Sequence, residues 1–193
     1  MLGGIVLGNK ATLRTPTGDD LPFFNALMAD MRVRREGQVW HEPATAATWK
    51  ERLTEAAKEQ NAVLWTIEAG GAAVGLALVT WHSEPGHCDL RHLVIDPARW
   101  GKGLGTDAAI ALHRYFFDYL DKRVVAVEIP VDDERALRIA ARLGYTEFGR
   151  GHEVYYRDGA YTDKLYLRFD RETWNASWSH EREYDPFPDG VER

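Results

Sequence analysis

Apolar and polar positions follow two periods along this chain, and each switch between them marks a new element. Residues 11–14 alternate and predict a short strand. Gly18, Asp19 and Asp20 offer capping groups, and Leu21, Phe24, Leu27, Met28 and Met31 then recur at helical spacing, predicting a helix over 18–33. Residues 35–43 form a predicted loop carrying Trp40 and His41, and 45–60 a second helix. A β-rich stretch follows. Runs at 62–68 and 72–81 flank Gly70 and Gly71, a two-residue hairpin signal. Ser83, Glu84, Pro85 and Gly86 make the next turn, and 87–95 the next strand. From 104 to 120 the period returns to helical, with Leu104, Ala108, Ala109, Leu112 and Phe116 on one face. The β-branched run 124–129 suits a buried central strand. Asp132, Asp133 and Glu134 open a helix through Arg142, and Gly144 ends it. Two last strands, 145–156 and 160–169, flank a turn at Arg157, Asp158 and Gly159.

The order is β-α-α-β-β-β-α-β-α-β-β, a mixed α/β (α+β) arrangement of about seven strands and about four helices. Residues 1–170 are expected to be one domain, and 171–193 a tail that packs at its start, where Trp174 and Trp178 lie, and frays at its polar end.

Composition changes this picture only by exclusion. Hydrophobic residues make up 45% of the 193 and charged residues 28%, as in ordinary globular domains. No apolar run reaches the roughly eighteen residues of a membrane span. The N-terminus lacks the basic start of a secretory signal. Cys88 is the lone cysteine, which excludes an internal disulfide and a cysteine metal cluster and fits a reducing cytoplasm. The net charge of −6, with no basic block beyond Arg32, Arg34 and Arg35, argues against a nucleic-acid partner. An acidic surface steers cations, so it favours a cationic substrate as well as plain solubility.

The candidate chemistry centres on Trp100-Gly-Lys-Gly-Leu-Gly-Thr106, between a strand and a helix. Glycines let the backbone curl close to a ligand, and the free N–H groups of a helix N-terminus attract an anion. Lys102 adds a point charge at the rim. Gly101, Gly103 and Gly105 alternate with no Gly-Lys-Ser/Thr after them, so the loop is not a P-loop. Hairpin strands precede it, so it is not a dinucleotide fingerprint either.

The loop together with Leu93-Val-Ile-Asp-Pro97 before it resembles motif A of the GNAT acetyltransferases, and Asp132-Asp-Glu-Arg-Ala136 followed by Arg142-Leu-Gly-Tyr145 resembles their motif B. The closing strands are similar to the RimJ/RimL-like branch, whose members often acetylate protein N-terminal amines. The resemblance spans roughly residues 11–170 and implies a central, mostly antiparallel twisted sheet with acetyl-CoA as acetyl donor. It places Leu93, Val94 and Ile95 beside the pantetheine arm, with Val94 and Ile95 pairing to it like an added strand. It puts Trp100, Gly101, Lys102, Gly103, Leu104, Gly105 and Thr106 around the pyrophosphate, and Asp133 near the thioester. Two positions depart from the pattern. Trp100 stands where Arg or Gln is common, and Ala140 where the family often has the tyrosine that protonates the leaving thiolate.

An acetyl acceptor amine needs a base. Glu128 is the first candidate, because isolation in an apolar strand would raise its pKa and because some GNAT enzymes carry a glutamate there. His92 and Asp89 follow, on the strand that leads into the cofactor site. By period two, Leu90 and His92 share one face, and Asp89, Arg91 and Leu93 the other. His82, His87 and Cys88 cluster without metal-ligand spacing, so no metal is expected. Tyr155, Tyr156 and Tyr161, with Trp40 and His41, are candidates for the acceptor wall. The expected partner is an amine, either a peptide N-terminus or a small amine such as a polyamine, and a homodimer suits the branch. The competing reading, prompted by Ala140, is a non-catalytic acyl-CoA-binding sensor or scaffold; a nucleotide-binding module using the same loop ranks third.

Overall fold

The computed structural model describes residues 4–36, 47–48, 51, 62–81, 86–157 and 159–178. Among them eight strands form one sheet: β1 (Val6–Leu7), β2 (Thr12–Arg14), β3 (Ala62–Ala69), β4 (Ala72–Trp81), β5 (His87–Ile95), β6 (Val124–Pro130), β7 (Thr146–Arg157) and β8 (Ala160–Asp170). The helices are α1 (Leu21–Ala29), α2 (Met31–Glu36), α3 (Leu104–Arg114), α4 (Glu134–Leu143) and α5 (Arg171–Ser177). The strand order is β1-β2-β3-β4-β5-β6-β8-β7. Every pairing is antiparallel except β5 with β6.

Two core layers cover the sheet. On one face α3 lays Leu104, Ala108, Ala111 and Leu112, with Phe116 just beyond its end, against Trp65, Ala77 and Val125. On the other, α1 lays Phe24, Leu27 and Met28 against Leu64 and Leu76. α5 belongs to the first layer: Trp174 is fully buried and stacks on Phe117 and Trp178.

The elements depart from the sequence expectation at several places, among them α5, a helix formed within the expected tail. The helix predicted over 18–33 breaks at Asp30, whose backbone turns extended and whose carboxylate accepts from the Arg32 N–H and guanidinium. Met31 is therefore 70% exposed rather than part of the α1 face. β1 is an extra strand, giving eight rather than seven. The helix predicted to Leu120 ends as α-helix at Arg114 and continues as one π-helical turn, Tyr115–Tyr119. The helix predicted over 45–60 lies largely outside the described residues.

Gly70 and Gly71 both take positive φ, 61° and 75°, as a primed hairpin turn requires. Gly75 is small because a Cβ there would collide with the Val94 carbonyl oxygen.

Candidate active site

The site originates in how β5 and β6 pair. They run parallel and in register only where His87, Cys88 and Asp89 face Val124, Val125 and Ala126. Beyond Asp89, β5 stays with β4 as far as Ile95, and β6 stays with β8 as far as Pro130. The two facing edges part, leaving backbone groups open to a ligand. A bulge sharpens the parting: Leu78 opposes His92 while Val79 opposes Leu90, so Arg91 is the extra residue.

That bulge corrects the period-two assignment on β5. Leu90, Leu93 and Ile95 all pack into the α3 layer, whereas Val94 packs into the α1 layer. An inserted residue shifts the alternation by one, so Leu90 and Leu93 share a face.

A cavity of about 720 Å³ fills the opening, bounded by β5 from Leu90 to Ile95, by Val127 to Pro130 on β6, by the glycine loop and by α4. Every residue expected at the cofactor lines it except Lys102. Gly101 and Gly103 have φ of 76° and 79°, a conformation that favours glycine and turns the loop tightly into α3. Asp133 caps α4, accepting the Ala136 N–H at 3.0 Å.

Trp100 uses its indole as a bolt. Asp96 gives its N–H to Val74, so the ladder's alternation turns the Ile95 N–H and C=O to the open edge. There the Trp100 Nε1–H donates to the Ile95 carbonyl at 2.8 Å. Arg135 from α4 lies over the indole at 3.8 Å, tying the loop to the second motif.

The base candidates sit near the Arg91 bulge. Glu128 lines the cavity but is not isolated in an apolar strand. Its side chain is a third exposed, accepts from the Lys164 ammonium at 2.6 Å and lies 3.7 Å from Arg91. The premise of desolvation in a core strand fails, because β6 and β8 align Glu128 opposite Tyr166 at an open end of the sheet, beside two cations. Arg91 also reaches Asp89, at 4.0 Å. His92 lines the cavity; Asp89 does not.

Ala140 lines the cavity too, as do Ala109, His113 and Tyr145. His113 was not a sequence candidate, because a histidine in an apolar helix stripe carries no signal of its own. It is wholly buried, with Nδ1 2.6 Å from the Ala109 carbonyl and Nε2 2.6 Å from the Tyr145 hydroxyl. A carbonyl only accepts, so Nδ1 carries the proton and the Tyr145 O–H donates to Nε2. Burial pushes the His113 pKa down to about 4 and the Tyr145 hydroxyl well above its usual value.

Other candidates lie elsewhere. Tyr156 and Tyr161 are exposed at the β7–β8 turn and meet edge to face at 5.1 Å, and neither they nor Tyr155 line the cavity. Trp40, His41 and His82 lie outside the described residues. Among the described residues no three His, Cys, Asp or Glu side chains group as metal ligands, and no helix is long and apolar enough to cross a membrane. Burial pushes the Cys88 thiol up to about 12.

A family model described as an acetyltransferase (GNAT) domain matches residues 10–146, taking in the open strand edges, the glycine loop and α4. The chain belongs to the GNAT acetyltransferase family. It is thereby an acetyl-CoA-dependent N-acetyltransferase. Among GNAT relatives it is 24% identical over 177 residues to the SPbeta prophage-derived uncharacterized N-acetyltransferase YokL of Bacillus subtilis (strain 168), covering 88% of this chain and 95% of that one. It is 27% identical to YdaF of the same organism, provisionally named a ribosomal N-acetyltransferase, over 69% of this chain and 75% of that one. Spermidine N-acetyltransferase from Vibrio cholerae, solved with CoA and spermine, shares the fold at a TM-score of 0.78 and 18% identity, covering 86% of this chain and 98% of that one.

Proposed function

We propose that this GNAT protein moves an acetyl group from acetyl-CoA directly to a primary amine of a protein N-terminus or of a small molecule. The observation that carries this is the cleft between β5 and β6, which has the glycine loop at one end and Glu128 with Arg91 at the other. Gly101 to Thr106 take the pyrophosphate. The Leu93 to Ile95 edge aligns the pantetheine arm, and its thioester faces the Arg91 bulge. The amine attacks the thioester carbon; the C–N bond forms, and the C–S bond breaks as the thiolate leaves. Glu128 takes the amine proton, directly or through a water, while Lys164 and Arg91 hold its carboxylate in place. His92 is the second base candidate, and Asp89, the third catalytic candidate, pairs with Arg91. The thiolate takes its proton from solvent, because the nearby phenol, Tyr145, already donates to His113.

An α-amino group, with a pKa of about 7.7–8.0, presents far more neutral nucleophile at pH 7 than a lysine-like amine at about 10.4. That favours a peptide N-terminus and agrees with the name of YdaF; the spermine complex of the Vibrio enzyme supports a polyamine as the other acceptor. The lone buried Cys88 suits a reducing compartment such as the cytoplasm.

Thiol release from acetyl-CoA over a panel of peptides, polyamines and aminoglycosides tests the reading. Turnover is expected with at least one amine, and Glu128→Gln is expected to lower kcat about 100-fold and remove a limb of the pH profile. An unchanged profile removes Glu128 from the role. Tight acetyl-CoA binding without turnover on any amine replaces catalysis with the sensor reading prompted by Ala140.

A further inference from the structure

We propose that Lys10, on the β1–β2 turn, binds a phosphate of the acyl-CoA from outside the two family motifs; this rests on the cleft being the acyl-CoA site. The turn is held by Asp107 in the first turn of α3. Its carboxylate accepts the backbone N–H groups of Asn9, Lys10 and Ala11 at 3.0, 2.8 and 2.9 Å. Gly8 leaves room for this carboxylate, since a Cβ there would collide with Oδ2. An acid at a helix N-terminus would repel an incoming phosphate, but this one is buried and turned to three N–H donors on the hairpin side.

The cradle delivers the Lys10 side chain to the glycine loop. Its Nζ donates to the Lys102 carbonyl at 3.4 Å and lies 3.0 Å from where a Gly103 Cβ would be. Gly103 thus meets two demands at once, a positive φ and the passage of Lys10. The ammonium has three donors, is exposed, and forms no ion pair among the described residues. It sits at the anion-binding end of α3, beside Lys102, in a protein of net charge −6. A phosphate is the ligand chemistry that uses it.

Calorimetric titration of wild type, Lys10→Met and Lys10→Arg with CoA, dephospho-CoA and pantetheine tests this, with thermal melts as a folding control. Lys10→Met keeps the stem over Gly103 and is expected to weaken CoA binding roughly tenfold at low salt, less at high salt, with pantetheine unaffected and Arg restoring most of the affinity. An equal loss for dephospho-CoA assigns the contact to the pyrophosphate, and no loss for dephospho-CoA assigns it to the 3′-phosphate. Unchanged CoA affinity overturns the proposal while leaving the acetyltransferase reading intact. An equal loss for pantetheine also overturns it, because Lys10 would then only shape the loop. Failure of wild type to bind CoA removes the acyl-CoA reading itself.

Discussion

Acidification through the histidine range should destabilise this protein at His113. His113 is wholly buried among Phe116, Phe117, Tyr145 and Phe169, and desolvation lowers its pKa from 6.5 to about 4. The unfolded chain therefore binds a proton over a pH range in which the native state does not. Stability from this group is fully present above about pH 6.5 and is lost as pH falls towards 4. Between about pH 7.5 and pH 5, linkage gives a loss of about 2 kcal/mol, on the order of a fifth of a typical domain's stability. Urea unfolding at both pH values measures it. The control is the His113→Phe, Tyr145→Phe double variant, which removes the titrating ring without leaving the phenol unpartnered. Its stability should fall about 2 kcal/mol less than that of wild type over the same interval. Equal losses in the two proteins would refute the assignment.

Other perturbations have outcomes that follow from the packing and hydrogen bonds of the protein. Gly75→Ala pushes a Cβ into the Val94 carbonyl oxygen and should displace the β5 edge, lowering stability by roughly 1–3 kcal/mol and raising KM for acetyl-CoA; a silent substitution would contradict the tight β4–β5 approach. Asp107→Ala leaves the Asn9, Lys10 and Ala11 N–H groups without their acceptor and should cost about 3 kcal/mol in urea unfolding. Cys88, buried and with its thiol pushed up to about 12, should resist a thiol-specific reagent in the native protein at neutral pH and react on unfolding; rapid native labelling would refute its burial.

Much of the fold follows from local patterns. The Gly70–Gly71 hairpin, the α4 cap at Asp133 and the Gly144 terminus each arise from a few adjacent residues whose backbone demands are strong. Ile5, Val6 and Leu7 before Gly8 and Asn9 carry a hairpin signal for β1, but the strand is only two residues long, too short to show a period. The Asp30 break was hidden because a side-chain interaction with Arg32 overrides helical periodicity. The site divides in the same way. The cofactor loop is contiguous, so its residues are adjacent in sequence and in space. The Arg91 bulge, the Lys164–Glu128 pair, the His113–Tyr145 pair and the reach of Lys10 all come from elements distant in sequence, set by strand register and helix packing. Glu128 illustrates the difference: its neighbours along β6 are apolar, but its neighbours in space are two cations.

The central claim, that the parted edges of β5 and β6 receive the acetyl donor, is tested most directly by amide hydrogen exchange with and without acetyl-CoA. Binding there should slow exchange at Leu93, Ile95 and the amides from Gly101 to Thr106, and leave the β3–β4 turn at Gly70 and Gly71 and the far end of the β7–β8 hairpin near Tyr156 unchanged. Protection confined to other parts of the sheet, with the glycine loop unaffected, would contradict the claim.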